Sequence, residues 1–83
     1  TLVHEIGHFV FPFLLEKHKT AIRQHFKECK KKDMGFPTYY SKENVEEFFC
    51  ESYQAFYRRP NAFKKRNKKM FDLLEEFLGK RNA

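Results

Sequence analysis

Apolar residues in this chain recur with the 3.6-residue period of an α-helix along nearly its whole length, and that period leaves little room for another architecture. At about 100° per residue, Leu2, Ile6, Phe9, Val10, Phe13 and Leu14 gather on one side of a first helix, while His4, Glu5 and His8 fall on the other. Pro12 removes the backbone N–H that would bond the His8 carbonyl, so this helix is expected to kink or loosen near Phe9 to Phe11 and to end by Lys17. A second helix is expected over residues 19–31, with Ala21, Ile22, His25, Phe26 and Cys29 at helical spacing and the Lys30-Lys31-Lys32 run at its carbonyl end. Residues 33–40 hold Gly35 and Pro37 and read as a loop, although Phe36, Tyr39 and Tyr40 make it more aromatic than a solvated connection needs.

Ser41 reads as the N-cap of a third helix that reaches about Arg58 and buries Phe48, Phe49, Ser52, Tyr53, Phe56 and Tyr57. Pro60 stops it. The basic residues between Lys64 and Lys69 cover a turn or short helix, and Met70, Phe71, Leu73, Leu74, Phe77 and Leu78 lie on a last helix closed by Gly79. No strand pattern and no internal repeat are evident. The fold class expected is therefore all-α, about four helices, in a single domain over residues 1–83.

Composition narrows the function classes. Eleven Phe and four Tyr supply enough buriable surface for a folded domain despite a net charge of +6. No apolar run approaches the roughly 20 residues that a membrane-spanning helix needs. The chain begins Thr1-Leu2-Val3-His4, without an initiating Met or a signal sequence, so it reads as a piece of a larger protein. Cys29 and Cys50 could pair, but without a CxxC motif the default expectation is buried free thiols.

His4-Glu5-Ile6-Gly7-His8 is an HExxH sequence. Two His four residues apart stand one above the other on a helix, so both imidazoles can reach one Zn²⁺ while Glu5 lies beside them as a general base for a metal-bound water. The bland alternative is a polar helix face in water; Gly7 counts against it, because glycine is a poor helix-interior residue unless something packs against the backbone. Zinc needs a third protein ligand, and the position that would carry a third His in an extended motif is Leu14. Glu43, Glu46, Glu47 and Glu51 of the third helix are the candidates, and Glu47 and Glu51, four apart, share a face.

This HExxH, followed about forty residues later by Tyr39-Tyr40-Ser41-Lys42-Glu43-Asn44-Val45-Glu46-Glu47-Phe48-Phe49-Cys50-Glu51-Ser52-Tyr53, resembles the catalytic domain of the anthrax lethal factor family of zinc metallopeptidases. The similarity covers almost the whole chain. It implies the helical part of a zincin-like domain, with His4, His8 and Glu47 as zinc ligands, Glu5 as general base, and Glu51 as the acid that orients a ligand His. It further implies Tyr40, with Tyr39 as its neighbour, as a phenol donor to the oxyanion or leaving group. A protein or peptide substrate and a secreted, toxin-like or cell-surface-trimming enzyme follow from the same resemblance. The family's upstream sheet, which lines the substrate cleft, is not in this sequence, and Pro12 departs from the continuous family helix.

Two further signals point elsewhere. His25 and Cys29 form an i, i+4 pair that could hold a second metal, but packing is the more ordinary account of one such pair. The basic clusters at Lys30–Lys32 and Lys64–Lys69 could grip phosphates, yet most aromatics fall on apolar helical faces and no nucleic-acid-binding signature accompanies them, so nucleic acid is not expected. The competing function is a non-catalytic helical binding module or remnant, with a basic surface and an unused or structural metal site.

Overall fold

The computed structural model describes residues 2–79, which form five α-helices: α1 (Leu2–Val10), α2 (Glu16–Lys32), α3 (Val45–Arg58), α4 (Pro60–Arg66) and α5 (Lys68–Leu78). There is no strand among the described residues. The all-α expectation holds, and the count becomes five because the basic stretch expected to be a turn or short helix splits at Asn67 into α4 and the start of α5. The radius of gyration, 11.3 Å, is close to the roughly 12 Å that a single compact domain of this length should have.

Several boundaries differ from the sequence reading, each for a local reason. Pro12 ends α1 rather than bending it: residues Phe11–Phe13 tighten into a 3-10 turn, the Leu14 N–H donates to the Phe11 carbonyl at 3.2 Å, and Leu14 and Leu15 are extended. The chain therefore leaves α1 at Val10, well before Lys17. α2 closes on Asp33, which takes the left-handed conformation at φ 53° while its N–H donates to the Cys29 carbonyl. Ser41 is not the cap of α3. It is buried in a second 3-10 turn, Tyr40–Lys42, where its hydroxyl donates to the Thr38 carbonyl at 2.6 Å. Asn44 caps α3 instead, its side-chain oxygen accepting from the Glu47 N–H at 2.9 Å. Pro60 both stops α3 and opens α4, since proline at a first helical position lacks only an N–H that would have no intrahelical partner.

α3 is the axis of the core. Phe48, Phe49, Cys50 and Phe56 on it are fully buried, and Ile22 of α2, Phe63 of α4 and Met70, Phe71 and Leu74 of α5 close around them. Phe36, from the aromatic loop, packs edge-on to Phe48 with ring centroids 5.7 Å apart, which explains why that loop is not simply polar. Burial of each such side chain stabilises the fold by about 1.5–3 kcal/mol. Cys29 and Cys50 are free thiols, both buried.

α1 turns only part of its apolar stripe inward. Leu2 and Phe9, with Phe13 of the turn that follows, are 76%, 74% and 86% exposed, while Val10 and Leu14 pack against the core and Gly7 and Phe11, with the histidines beside them, face α3. The reason lies on α3, whose facing side presents Glu46, Glu47 and Glu51 as acceptors for the imidazoles, and whose Cys50 leaves space only for a glycine opposite.

Candidate metal centre

α1 and α3 run antiparallel across this interface, so that His4 meets the Glu51 end and His8 the Glu46 end. One helical turn separates the two imidazoles, and their rings lie edge to face with centroids 4.9 Å apart. His4 Nε2 and His8 Nε2 point at each other across 3.2 Å. Between them stands the Glu47 carboxylate, one oxygen 3.3 Å from His4 Nε2 and the other 3.1 Å from His8 Nε2.

The outer nitrogens are held as tightly. His4 Nδ1 donates to Glu51 Oε2 at 2.5 Å, and His8 Nδ1 donates to Glu46 Oε2 at 2.6 Å. Glu51 is itself oriented by the Thr38 hydroxyl, which donates to its second oxygen at 2.8 Å. With each Nδ1 proton committed to a carboxylate, the neutral rings carry their lone pairs on Nε2. Two such lone pairs and a carboxylate at these separations repel one another unless a cation or protons lie among them. The spacing suits a metal: two bonds of about 2.0–2.1 Å at a tetrahedral angle place their ligand atoms about 3.3 Å apart. His4, His8 and Glu47 therefore fit as a three-residue zinc set, with Glu51 and Glu46 as the acids that fix ring orientation.

Electrostatics and burial follow from this arrangement. The hydrogen bond to Glu46, against some opposing desolvation and with the Glu47 charge in support, raises the His8 pKa above its ordinary 6.5. Cys50 Sγ also lies within 4.8 Å of ring nitrogens of His4 and His8. Burial first, then the Glu47 and Glu46 charges, push that thiol up to about 12, so in the metal-free chain it stays protonated. The His4 side chain is 14% exposed and that of His8 32%, so the site opens to solvent on the His8 side.

Two shallow concavities meet at Glu47. Tyr39, Tyr40, Glu43, Asn44 and Glu47 line one; His8, Phe11 and Glu46 border the other together with Asn44, Val45 and Glu47. Both phenols are exposed and share the first wall, so the aromatic loop delivers Tyr40 and Tyr39 together to the edge of the centre. Glu43 sits on that wall as an exposed carboxylate and not beside the histidines. Glu5 is exposed on α1, and its charge acts on His8.

Glu46 and Thr38 are the residues whose roles the sequence reading does not assign. The available signal for Glu46 is the second histidine: if Glu51 serves His4, then His8 needs an acid about one turn earlier on an antiparallel helix. His25 and Cys29 do approach, at 3.6 Å, but His25 Nε2 is 2.8 Å from Asn67 Oδ1, and Asn67 Nδ2 donates to both Cys29 Sγ and the Gly35 carbonyl. That nitrogen carries a proton toward Asn67 and has no lone pair for a metal, so the pair is a packing network. His18 stacks on Phe77 with centroids 3.9 Å apart. No family model matches this chain, and neither a curated protein nor a solved structure matches it.

Proposed function

We propose that this chain is the metal-binding helical part of a zinc-dependent metalloendopeptidase of the lethal factor-like kind. The observation that carries the proposal is the convergence of His4 Nε2, His8 Nε2 and the Glu47 carboxylate within 3.1–3.3 Å of one another, with both outer nitrogens held by carboxylates. Neither an unused motif nor an acidic stripe in water requires that all four carboxylate and imidazole pairings be made at once. The HExxH and Glu-Phe-Phe-x-Glu resemblance supports the same reading, and with it a protein or peptide substrate and a secreted, toxin-like setting.

Bound zinc would supply Lewis acidity toward the scissile carbonyl and a water of lowered pKa. The chain's own residues do the rest. Glu51 and Glu46 keep the imidazole Nδ1 protons outward and the Nε2 lone pairs inward. The Glu5 carboxylate takes the proton of the attacking water and passes it to the leaving amine. A phenol O–H, from Tyr40 in the first instance, donates to the oxyanion that develops on the carbonyl.

Metal analysis tests the proposal directly. Protein purified without chelator is expected to carry zinc, and added zinc to raise the melting temperature of chelator-stripped protein. A chain without zinc whose melting is unmoved by it is no metallopeptidase. Glu5→Gln is expected to retain the metal and remove peptide hydrolysis; hydrolysis near that of the unmodified chain would exclude Glu5 as the base.

A further inference from the structure

The chain's charge is sorted in space. Glu5, Glu46, Glu47 and Glu51 gather at the candidate metal centre, while Lys32, at the end of α2, meets Arg66, Lys68 and Lys69 at the junction of α4 with α5. Asn67 makes that junction. It caps α5 by accepting from the Met70 N–H at 3.0 Å, meets His25 of α2 at 2.8 Å, and donates to the Gly35 carbonyl at 2.9 Å. The result is a concavity floored by this network and bordered by Lys32, Arg66, Lys68 and Lys69, with Glu28 as its one carboxylate and exposed Met34 at its rim.

We propose that this concavity is an oxyanion site that takes a phosphate group. Glu28 is already engaged, 2.9 Å from Lys69 Nζ and 3.3 Å from His25 Nδ1, and Lys68 Nζ donates to Asp72 at 2.8 Å just outside the lining, so four cations meet two carboxylates and an excess of positive charge remains on the Lys32 and Arg66 side. Arg66 is steadied by donating from Nη1 to the Phe36 carbonyl at 3.3 Å, which leaves further N–H groups of a planar fork that suits phosphate oxygens. α5 adds its first-turn amides, at Lys68 and Lys69, which no carbonyl of their own helix can accept from and which carry the positive end of an 11-residue helix. A doubly charged tetrahedral oxyanion matches that set better than a single carboxylate does. Among the described residues no Phe, Tyr or Trp lines the concavity, and the one ring there, His25, is buried and held by Asn67, so bases would find no exposed ring to stack on, and the phosphate is that of a small ester or a lipid headgroup, not of a nucleic-acid strand.

The test is a titration of ¹⁵N-labelled protein with inorganic phosphate at constant ionic strength, followed by amide shifts. Saturable shifts are expected at residues 32–35 and 66–69. In Lys32→Gln/Lys68→Gln, affinity is expected to fall at least about tenfold, and in the equally discharged control Lys17→Gln/Lys27→Gln it is expected to stay within about twofold. Equal weakening in both variants, shifts spread over every lysine, or shifts centred on residues 4–8 and 46–51 would each overturn the proposal. Co-sedimentation with phosphatidylcholine vesicles containing a phosphorylated inositol lipid separates the two sources. Sedimentation lost in the first variant and competed by phosphate supports a lipid headgroup, saturation without sedimentation supports a free phosphate compound, and neither response overturns the site.

Discussion

Gly7 of α1 and Cys50 of α3 approach so closely that a Cβ added to Gly7 would lie 3.1 Å from the Cys50 Cα and 3.2 Å from its sulfur. The nearest atom belongs to the backbone in the middle of a helix, so it cannot swing aside as a side-chain tip would. Gly7→Ala is therefore expected to push α1 off α3, costing about 1–3 kcal/mol of overpacking against a helix-propensity gain of about 1 kcal/mol. Thermal melting and metal content should fall together. Gly7→Ala/Cys50→Ala should recover only part of the loss, because the new methyl still meets the α3 backbone; full recovery would show that the sulfur alone sets the spacing.

Glu47 and Glu46 are adjacent in sequence but do different work. Glu47 reaches both Nε2 atoms, whereas Glu46 touches only the outer nitrogen of His8. Glu47→Ala is expected to abolish zinc retention, and Glu46→Ala or Glu51→Ala to weaken affinity by about 10–100-fold while leaving a one-to-one site. Competition with a chelator of known affinity measures all three. Loss of stoichiometric binding in Glu46→Ala to the same extent as in Glu47→Ala would show that the ligand assignment is wrong.

Under the proposed zinc assignment proton and metal compete at His8, and the two states of the protein should respond to pH in opposite senses. Without metal, the raised pKa of His8 means that its protonated form is favoured by folding. That stabilisation is complete below the ordinary 6.5 of the unfolded chain and is lost as pH rises through the folded value. With metal, His8 must be deprotonated, so the stabilisation by zinc grows over the same rise and is lost on acidification. Melting temperatures measured across this window in chelator and in zinc should diverge as pH increases. Parallel curves would mean that His8 does not bind the metal.

Asn67 concentrates several roles in one buried side chain: it caps α5 and meets His25, the Gly35 carbonyl and Cys29. Asn67→Ala takes from the buried His25 Nε2 its 2.8 Å acceptor and from the Gly35 carbonyl its donor, and uncaps a helix, and about 2–4 kcal/mol of destabilisation is expected in denaturant unfolding. Asn67→Asp keeps the cap and the acceptor for His25 but loses the donors to Gly35 and Cys29, so an intermediate loss is expected. A loss below about 0.5 kcal/mol for Asn67→Ala would show that the network does not hold the junction.

Most of the helical content is legible in the chain because it follows from local physics. Helical periodicity marks the buried residues of α2, α3 and α5, Pro60 and Gly79 mark boundaries, and the i, i+4 spacings of His4 with His8 and of Glu47 with Glu51 identify which side chains can share a site. Ser41 reads as a cap from residue type alone, although Asn44, three residues on, can do the same work. Only the fold shows that the Ser41 hydroxyl is taken by Thr38.

The amino-acid sequence by itself determined an all-α chain carrying an HExxH helix and an acidic third helix, since both follow from residue type and spacing along one stretch of backbone. The tertiary structure decided which face of α1 is buried. A hydrophobic stripe says that a helix has two unlike faces, but which of them packs depends on what the partner offers. Here α3 offers three carboxylates and a gap one glycine wide, so the histidine face turns inward and Leu2, Phe9 and Phe13 remain at the surface. The same packing recruits Glu46 to His8 and Asn67 to His25, across 38 and 42 residues, separations at which no local pattern carries the pairing.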